Sequence, residues 1–513
     1  MKRISDSFIA VASVSVLILS LIMPVWVGMH NYATGDDLLY GSVVHNLMRD
    51  HASFGEIWHA AFEDVVREWY LFQGTWSSEL LWRFEPSIWS EGAYHITIFI
   101  SLISLIAGIF YFLDVALHRF LGIGRIECLC IACWVSFYSI QYMPYPRGGL
   151  YWFTGMTHYT LPYAMALFAL GWAIMYLRTG AVRYLIGMII IGIYMGGSGY
   201  PGVVVTGLGL FLCMMCAVLS GDNDKEMRHR GLMILIPIVL TGIGFIISAV
   251  APGNAVRGGE DYGFSFGRVL EVFVGSFVSG LTDPFRYLIS VRPLFLLLAG
   301  AFILCCGTYR ENGTNRENGD ADAGRPITPK QLIVLNVSLF LVVCLIHAPE
   351  IFAGDTVDSG FSGGVYDSYF YVTVLFLAVL AASLGLYLAP VIRDKSFYIP
   401  VRNVFFIGAV LFCVIFRKHL IGNMLDYSCY KYISDGYMAD YEAQMQERFR
   451  ILDESGEVVY LPYISDDQGP LMHFPIMTDP DAYPNSVAAK FYDKDSVIGV
   501  DRTEDYYYRP ESD

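Results

Sequence analysis

Long uncharged apolar runs recur along this chain from near its amino terminus to about residue 416. About 20 apolar residues in a helix cross a bilayer whose hydrocarbon core is roughly 30 Å thick, so each run is a candidate transmembrane helix. The pattern therefore predicts an α-helical polytopic membrane protein with about 11 transmembrane helices, several of them short. The predicted spans are Phe8–Val27, Tyr94–Leu117, Ile126–Met143, Tyr159–Tyr176, Tyr184–Gly196, Pro201–Leu219, Gly231–Val250, Leu294–Gly307, Leu332–His347, Tyr369–Leu388 and Val404–Phe416.

Basic residues predict how these spans are oriented. Lys2 and Arg3 precede the first run, and further Lys and Arg clusters follow every second run after it. Because basic residues concentrate in cytoplasmic loops, we expect a multi-pass protein of the cell membrane with a cytoplasmic amino terminus and an extracytoplasmic carboxy terminus. One more apolar stretch would break the alternation, and we interpret Val269–Val278 as a helix lying in the outer interface.

The pattern changes from apolar to polar near residue 416. We predict a transmembrane domain over residues 1–416, with an outer loop over 29–93, and an extracytoplasmic region over 417–513. Within the tail, Tyr441–Leu452 is typical of a polar helix, and 457–463 is rich in the β-branched and aromatic residues of a strand. The tail is therefore expected to form a small α/β region.

Composition excludes most soluble classes. The chain of 513 residues is 55% hydrophobic and only 16% charged, whereas soluble domains average about 25% charged residues. The net charge of -15 argues against nucleic acid as a partner and leaves the lipid bilayer as the main one. Nine of the ten cysteines lie in or beside apolar runs, so we interpret Cys213 and Cys216 as core residues despite their motif-like spacing.

Two adjacent aspartates, Asp36 and Asp37, follow the first span in a segment that includes Tyr40. They could simply begin a solvated acidic loop. We favour a functional interpretation, because the pair is flanked by apolar and aromatic residues at the depth of a lipid headgroup. A carboxylate in low-dielectric surroundings holds a raised pKa and can act as a base.

A second predicted outer loop, over 144–159, is dense in aromatic residues and carries Arg147, Trp152, His158 and Tyr159. Aromatic rings stack on sugar faces, but they also anchor helices at the membrane interface. Both interpretations stay open for each ring.

A third outer segment runs from Ala251 to Arg257. Pro252 and Gly253 end the preceding span, Asn254 can cap or hydrogen-bond, and Arg257 stands at phosphate depth. Arginine suits bidentate phosphate recognition, but a snorkelling arginine at a helix end is an equal alternative.

These short motifs together resemble a bacterial multi-spanning family of unknown function that is similar to the GT-C superfamily of membrane glycosyltransferases, including O-antigen glucosyltransferases. The motifs are the aspartate pair, Trp152–Gly155 with Tyr159, and Ala251–Asn254 with Arg257. The resemblance implies a polyprenyl-phosphate-linked sugar as donor, an extracytoplasmic site and an aspartate base in the first outer loop. Relatives of this type carry an arginine in a late outer loop, whereas residues 348–366 here contain no Lys or Arg.

We therefore expect an inverting hexosyltransferase of the GT-C type that acts on a cell-envelope glycan or another acceptor. Asp36 and Asp37 are the candidate catalytic residues, and Arg257 and Arg147 are the candidate donor-phosphate residues. The candidate substrate-binding residues are Tyr40, Trp152, His158, Tyr159 and Asn254.

No cofactor is required by this chemistry, although a divalent cation could bridge Asp37 and the phosphate. Two alternatives stay open: a transporter or flippase of a lipid-linked glycan, and a non-catalytic membrane assembly subunit.

Overall fold

The computed structural model describes residues 5–220, 225–258, 265–307, 327–353, 363–392, 395–454, 456–464 and 468–502. Helices dominate it. In chain order they are α1 (Asp6–Leu19), α2 (Ile22–Gly28), α3 (Asp36–Arg49), α4 (Phe54–Leu71), α5 (Trp76–Trp82), α6 (Ile96–Leu113), α7 (Arg125–Gln141), α8 (Phe153–His158), α9 (Thr160–Thr179), α10 (Val182–Gly196), α11 (Tyr200–Ser220), α12 (Lys225–Met233), α13 (Leu235–Ala249), α14 (Pro252–Gly258), α15 (Phe266–Ser290), α16 (Leu294–Cys306), α17 (Pro329–Leu345), α18 (Ala348–Ala353), α19 (Gly364–Ile392), α20 (Tyr398–Ile415), α21 (Arg417–Ile421), α22 (Leu425–Ser434), α23 (Tyr437–Glu454) and α24 (Tyr483–Phe491). Short 3₁₀ turns cover Pro86–Ile88 and Glu91–His95, and π-helical turns cover Asp114–Phe120 and Arg147–Tyr151.

Eight helical segments in the described ranges are long and apolar enough to cross a membrane. The prediction of an α-helical membrane protein is confirmed at this level. The eight segments are Asp6–Gly28, Glu91–Phe120, Phe153–Thr179, Tyr200–Leu219, Lys225–Ala249, Pro329–Ala353, Gly364–Ile392 and Tyr398–Ile415.

The other three predicted spans also form helices, but shorter ones. They are α7 with 17 residues, α10 with 15 and α16 with 13. At 1.5 Å per residue these helices are about 20–26 Å long, which is less than the hydrocarbon thickness. The total of about 11 crossings stays a prediction.

The predicted interfacial helix lies within α15, which is longer than the sequence pattern indicated. The axis turns by 102° between α15 and α16. At most one of these two helices can therefore run along the membrane normal, and the placement of Val269–Val278 in the interface stays a prediction.

The membrane body is organised around α19, the most enclosed candidate span. In its most apolar stretch, 78% is buried. It packs against α7, α16 and α17, while α6 packs on α9. Gly385 of α19 faces the carbonyl oxygen of Phe302 on α16 so closely that a Cβ would not fit between them. A small residue at this crossing lets the two backbones approach.

The predicted outer loop and the tail pack together on a shared core. Leu38, Val44, Val459, Val487 and Phe491 belong to one hydrophobic cluster that joins α3 to the tail. The apolar face of α3 is thus covered by the carboxy-terminal region.

The tail contains a small α/β unit, as the sequence predicted. Strand β1 (Val458–Pro462) pairs in parallel with β2 (Ser496–Val500), and Val458 lies opposite Ser496. A parallel pair needs a crossover connection, and α24 lies in the segment that supplies it. The predicted polar helix is α23, which begins four residues before Tyr441.

Candidate active site

The Asp36–Asp37 pair opens helix α3, and Gly35 before it fixes the entry of the chain. Gly35 has a φ of +55°, which side-chain-bearing residues rarely adopt. A Cβ at Gly35 would also stand 2.5 Å from the ring of Phe474 in the tail. Because the first turn of a helix presents unpaired N–H groups and the positive end of the helix dipole, two carboxylates are well placed here.

Asp37 is completely buried, and both of its oxygens accept hydrogen bonds. The hydroxyl and backbone N–H of Thr154 donate to Oδ1 at 2.6 and 3.0 Å. The hydroxyl of Tyr94 donates to Oδ2 at 2.5 Å. Asp37 therefore ties α3 to the beginnings of two candidate spans, Glu91–Phe120 and Phe153–Thr179.

Burial raises the pKa of Asp37 to about 7, although the hydrogen bonds from Thr154 and Tyr94 act in the opposite direction. Glu85 is also completely buried, and burial, reinforced by the charge of Asp37, raises the pKa of Glu85 well above its usual value. The surroundings of Asp37 thus disfavour a second negative charge.

Asp36 differs from its neighbour because it is only partly buried. The hydroxyl of Tyr483, from the tail helix α24, donates to Asp36 Oδ1. Burial raises the pKa of Asp36, while the bond from Tyr483 and the positive charge of Arg257 both lower it. Of the two aspartates, Asp36 is therefore the one that a ligand can reach.

Arg257 stands near Asp36 on the exposed side of α14. Its guanidinium donates to Gln73 Oε1 and lies 5.1 Å from the ring centre of Phe72. These two contacts orient the cation while its side chain stays open to solvent. Arg257 is thus within electrostatic range of Asp36, and their joint role at one site stays a prediction.

Asn254 is used to build the fold. Its Oδ1 accepts from the N–H of Gly74 at 3.0 Å, and its amide nitrogen donates to the carbonyl of Ser248 at 2.8 Å. Gly253 beside it packs directly on the backbone of Phe72. The Asn254 side chain thus fixes α14, and with it Arg257, against the segment after α4, and its predicted role in substrate binding stays a prediction.

A row of aromatic side chains in mutual contact lies near Asp36. The ring of Tyr40 lies 4.7 Å from that of Trp82, which in turn lies 5.5 Å from the ring of His158. His158 stacks edge-on against Tyr159 at 4.9 Å. Tyr159 is also within electrostatic range of Asp36 and Arg257. All four residues are at least partly buried.

Trp152 and Arg147 contact the tail. Trp152 lies 6.1 Å from the ring of Phe474, and its indole nitrogen has no hydrogen-bond partner in the part of the chain that the structure describes. Arg147 donates its Nε to the carbonyl of Gly469 at 2.7 Å. Trp152 therefore keeps a buried, unpaired N–H among the described residues, whereas Arg147 holds the tail in place.

A cavity of about 40 Å³ lies behind Gly35, between the segment over residues 33–38 and the tail. Arg448 and His473 are in its lining. It is large enough for one or two water molecules but not for a sugar, since ligand pockets measure roughly 300–1,000 Å³. A ligand as large as a sugar does not fit in this cavity and could meet Asp36 only from its exposed side or after the tail moves.

A buried ion network supports the outer loop. Arg83, which is completely buried, pairs with Asp64 at 2.9 Å and with Glu79 at 3.4 Å, and its guanidinium lies 4.8 Å from the ring centre of Tyr40. Burial raises the pKa of Glu79 to about 8, with Arg83 and Gln73 opposing the shift. Gln73 thus links Arg257 to this network.

The late segment without Lys or Arg is described in part, since residues 354–362 lie outside the described ranges. Arg268 of α15 donates its Nε to the carbonyl of Phe352 at 3.2 Å. An arginine from another helix therefore reaches this segment, which sequence spacing did not indicate.

The donor set does not fit a cation bound by Asp37, because three hydrogen-bond donors already point at its oxygens. No cluster of three or more His, Cys, Asp or Glu side chains suited to a metal ion occurs among the described residues.

No protein-family model matches this chain, and no curated protein or solved structure matches it either.

Proposed function

We propose that the protein is a membrane glycosyltransferase that moves a sugar from a polyprenyl-phosphate donor to a cell-envelope glycan on the extracytoplasmic face. The observation that carries this proposal is the partly exposed Asp36, whose pKa the positive charge of Arg257 lowers, at one end of two candidate spans. A carboxylate base and a phosphate-binding cation at the end of apolar helices are what transfer from a lipid-linked donor requires.

The two aspartates have different roles in this mechanism. Asp36 takes the proton from the acceptor hydroxyl as the acceptor oxygen bonds to the anomeric carbon. The bond from that carbon to the phosphate oxygen breaks, with inversion, and Arg257 stabilises the charge on the leaving phosphate. Asp37 is a positioning residue, because its hydrogen bonds fix the first turn of α3.

The proposed orientation puts the amino terminus in the cytoplasm and the tail outside. The tail then covers the start of α3. Its Tyr483 hydroxyl occupies the place where an acceptor hydroxyl would meet Asp36. An acceptor must displace this contact before transfer.

Transport of a lipid-linked glycan is the second candidate. It is favoured by a buried polar pair, His347 and Asp283, whose side chains lie 3.6 Å apart. Buried ionisable groups among apolar helices often mark a substrate or proton path. A non-catalytic assembly subunit would use neither group.

Sugar transfer from a labelled polyprenyl-phosphate donor in membranes distinguishes these functions. Asp36→Asn should lower transfer on the order of 10²-fold, the range typical for loss of a general base. Asp50→Asn, at the exposed end of the same helix, is the matched control and should retain full transfer. Full activity in the Asp36 variant would remove the base mechanism and leave transport or assembly as the better explanations.

A further inference from the structure

A polar cavity of about 540 Å³ lies at the far end of the helices that begin beside Asp37. Its lining is strongly basic. The lining residues are Asp114, His118, Arg119, Arg125, Met175, Arg178 and Thr179.

The cavity lies about one bilayer thickness from the aspartate pair. Asp37 accepts a hydrogen bond from Thr154 in the short helix α8, which precedes α9. The cavity includes Arg178 at the opposite end of α9. The 20 residues of α9 rise by about 30 Å. Helix α6 and the π-helical turn after it also connect the two places. They lead from Tyr94, which donates to Asp37, to Arg119 in the cavity lining. The cavity is therefore at the opposite membrane boundary and is separate from the candidate active site.

Within the described part of the chain, Arg119 and Arg125 each make their side-chain hydrogen bond through Nε alone. The Nε of Arg119 lies 2.7 Å from Asp114 Oδ2. The Nε of Arg125 donates to His118 Nε2 at 3.1 Å, while His118 Nδ1 lies 2.7 Å from the carbonyl oxygen of Ile123. Because a guanidinium can only donate, Nε2 of His118 is the acceptor in its bond with Arg125. Each guanidinium therefore keeps its terminal nitrogens for a ligand.

The charges in the lining do not cancel. Arg119, Arg125 and Arg178 contribute three positive charges and Asp114 one negative charge, which leaves an excess of two positive charges among these four residues. Phosphate groups match such a cluster, because guanidinium pairs with phosphate through two parallel hydrogen bonds.

Exposed apolar side chains are close sequence neighbours of the lining residues. Phe120 is 48% exposed, Ile126 40% and Val182 62%. We call these three residues the apolar rim. A basic cavity with such residues near it in the chain, at the end of membrane helices, has the polarity of the headgroup–hydrocarbon boundary.

We propose that this cavity binds the phosphate headgroup of an anionic membrane lipid through Arg119, Arg125 and Arg178. The acyl chains of the lipid lie along Phe120 and Ile126. A soluble phosphate compound shares the headgroup chemistry but makes no use of the apolar rim. The site does not depend on the proposed sugar transfer.

Lipid binding to the purified full-length protein, measured by native mass spectrometry, tests the proposal. The probes are phosphatidylglycerol, phosphatidylcholine and glycerol phosphate. The site variant carries Arg119→Gln with Arg178→Gln, and the control is Arg183→Gln, an exposed arginine close by in sequence but outside the lining. Because each arginine at a membrane surface contributes on the order of fivefold in affinity, the site variant should lose roughly 25-fold for phosphatidylglycerol. The control should stay within about twofold of the wild type.

Three results would overturn the proposal. One is equal loss of phosphatidylglycerol binding in the site variant and in the Arg183 control, which would indicate a general surface-charge effect. Another is equal binding of phosphatidylcholine, which lacks net charge. Displacement of the lipid by an equal concentration of glycerol phosphate would show a site for soluble phosphates and contradict the lipid assignment.

Discussion

The Thr154 hydroxyl is expected to stabilise the protein by an amount that depends on pH. It donates to the buried carboxylate of Asp37 at 2.6 Å. Valine has nearly the same shape as threonine but cannot donate. Thr154→Val should therefore remove one hydrogen bond and leave the packing intact.

The magnitude follows from the protonation state of Asp37. Because its pKa in the folded protein is about 7, this carboxyl is mostly protonated at pH 5 and mostly ionised at pH 8. A hydrogen bond to a neutral acceptor stabilises by about 1 kcal/mol, and one to a charged acceptor by about 1.5–3 kcal/mol. The substitution should cost about 0.5–2 kcal/mol more at pH 8 than at pH 5. The sign of this pH dependence agrees with linkage. Losing the bond raises the pKa of Asp37 in the folded protein still further, so the folded state is weakened as the pH rises through 7.

Thermal unfolding of the purified protein at both pH values measures this difference. Thr160→Val is the matched control, because the Thr160 hydroxyl is also buried but donates to the carbonyl oxygen of Gly149 at 2.6 Å. Its cost should not change with pH. Equal pH dependence of the two variants would refute the assignment of Asp37 as a titrating group held by Thr154.

Three further predictions concern the tail and the orientation of the chain. Gly35→Ala should destabilise the protein by roughly 2–4 kcal/mol in thermal unfolding, because it combines a positive φ with a clash against a tail phenylalanine ring; a mild effect would contradict the tight docking of the tail. Tyr483→Phe should shift the acidic limb of the pH–rate profile of transfer to higher pH, because the bond that lowers the pKa of Asp36 is lost; an unchanged limb would mean that Asp36 does not set the profile. In a cysteine-free background, Asp435→Cys should react with an impermeant thiol reagent in intact cells, whereas Arg183→Cys should react only after lysis; the reverse pattern would invert the proposed topology.

The apolar helices could be predicted from sequence because their signal is local. All eleven predicted spans coincide with helices, since a run of uncharged apolar residues has no other way to satisfy its backbone in a bilayer. The helix and strand of the tail followed from propensity in the same way. The partner of that strand did not, because β2 lies more than 30 residues further along the chain.

The candidate site could be located from sequence, but the roles within it could not be assigned. The aspartate pair was visible at the end of the first span, yet sequence gave Asp36 and Asp37 the same role. The two aspartates differ in burial, and the side chains that contact them are distant in sequence. Thr154 lies 117 positions from Asp37, and Tyr483 lies 447 positions from Asp36. Tyr483 was missed because nothing in its neighbourhood marks it.

Asn254 illustrates the opposite difficulty. A polar side chain after a Pro-Gly turn suits either a ligand or the backbone, and sequence alone cannot say which partner it meets. Here the amide bonds to Gly74, 180 positions away, so that it positions Arg257 through the fold. The buried network of Arg83, Asp64 and Glu79 was missed for a similar reason, because charged residues in an acidic outer loop are usually solvated.

A structure of the protein in a lipid nanodisc with a polyprenyl-phosphate sugar analogue that cannot be cleaved tests the central claim most directly. We expect the donor phosphate within hydrogen-bond distance of Arg257 and the anomeric carbon on the side of Asp36. We also expect Asp37 to keep its bonds to Thr154 and Tyr94. Density for the phosphate at another place, with Asp36 still bonded to Tyr483 and Arg257 still bonded to Gln73, would contradict the account.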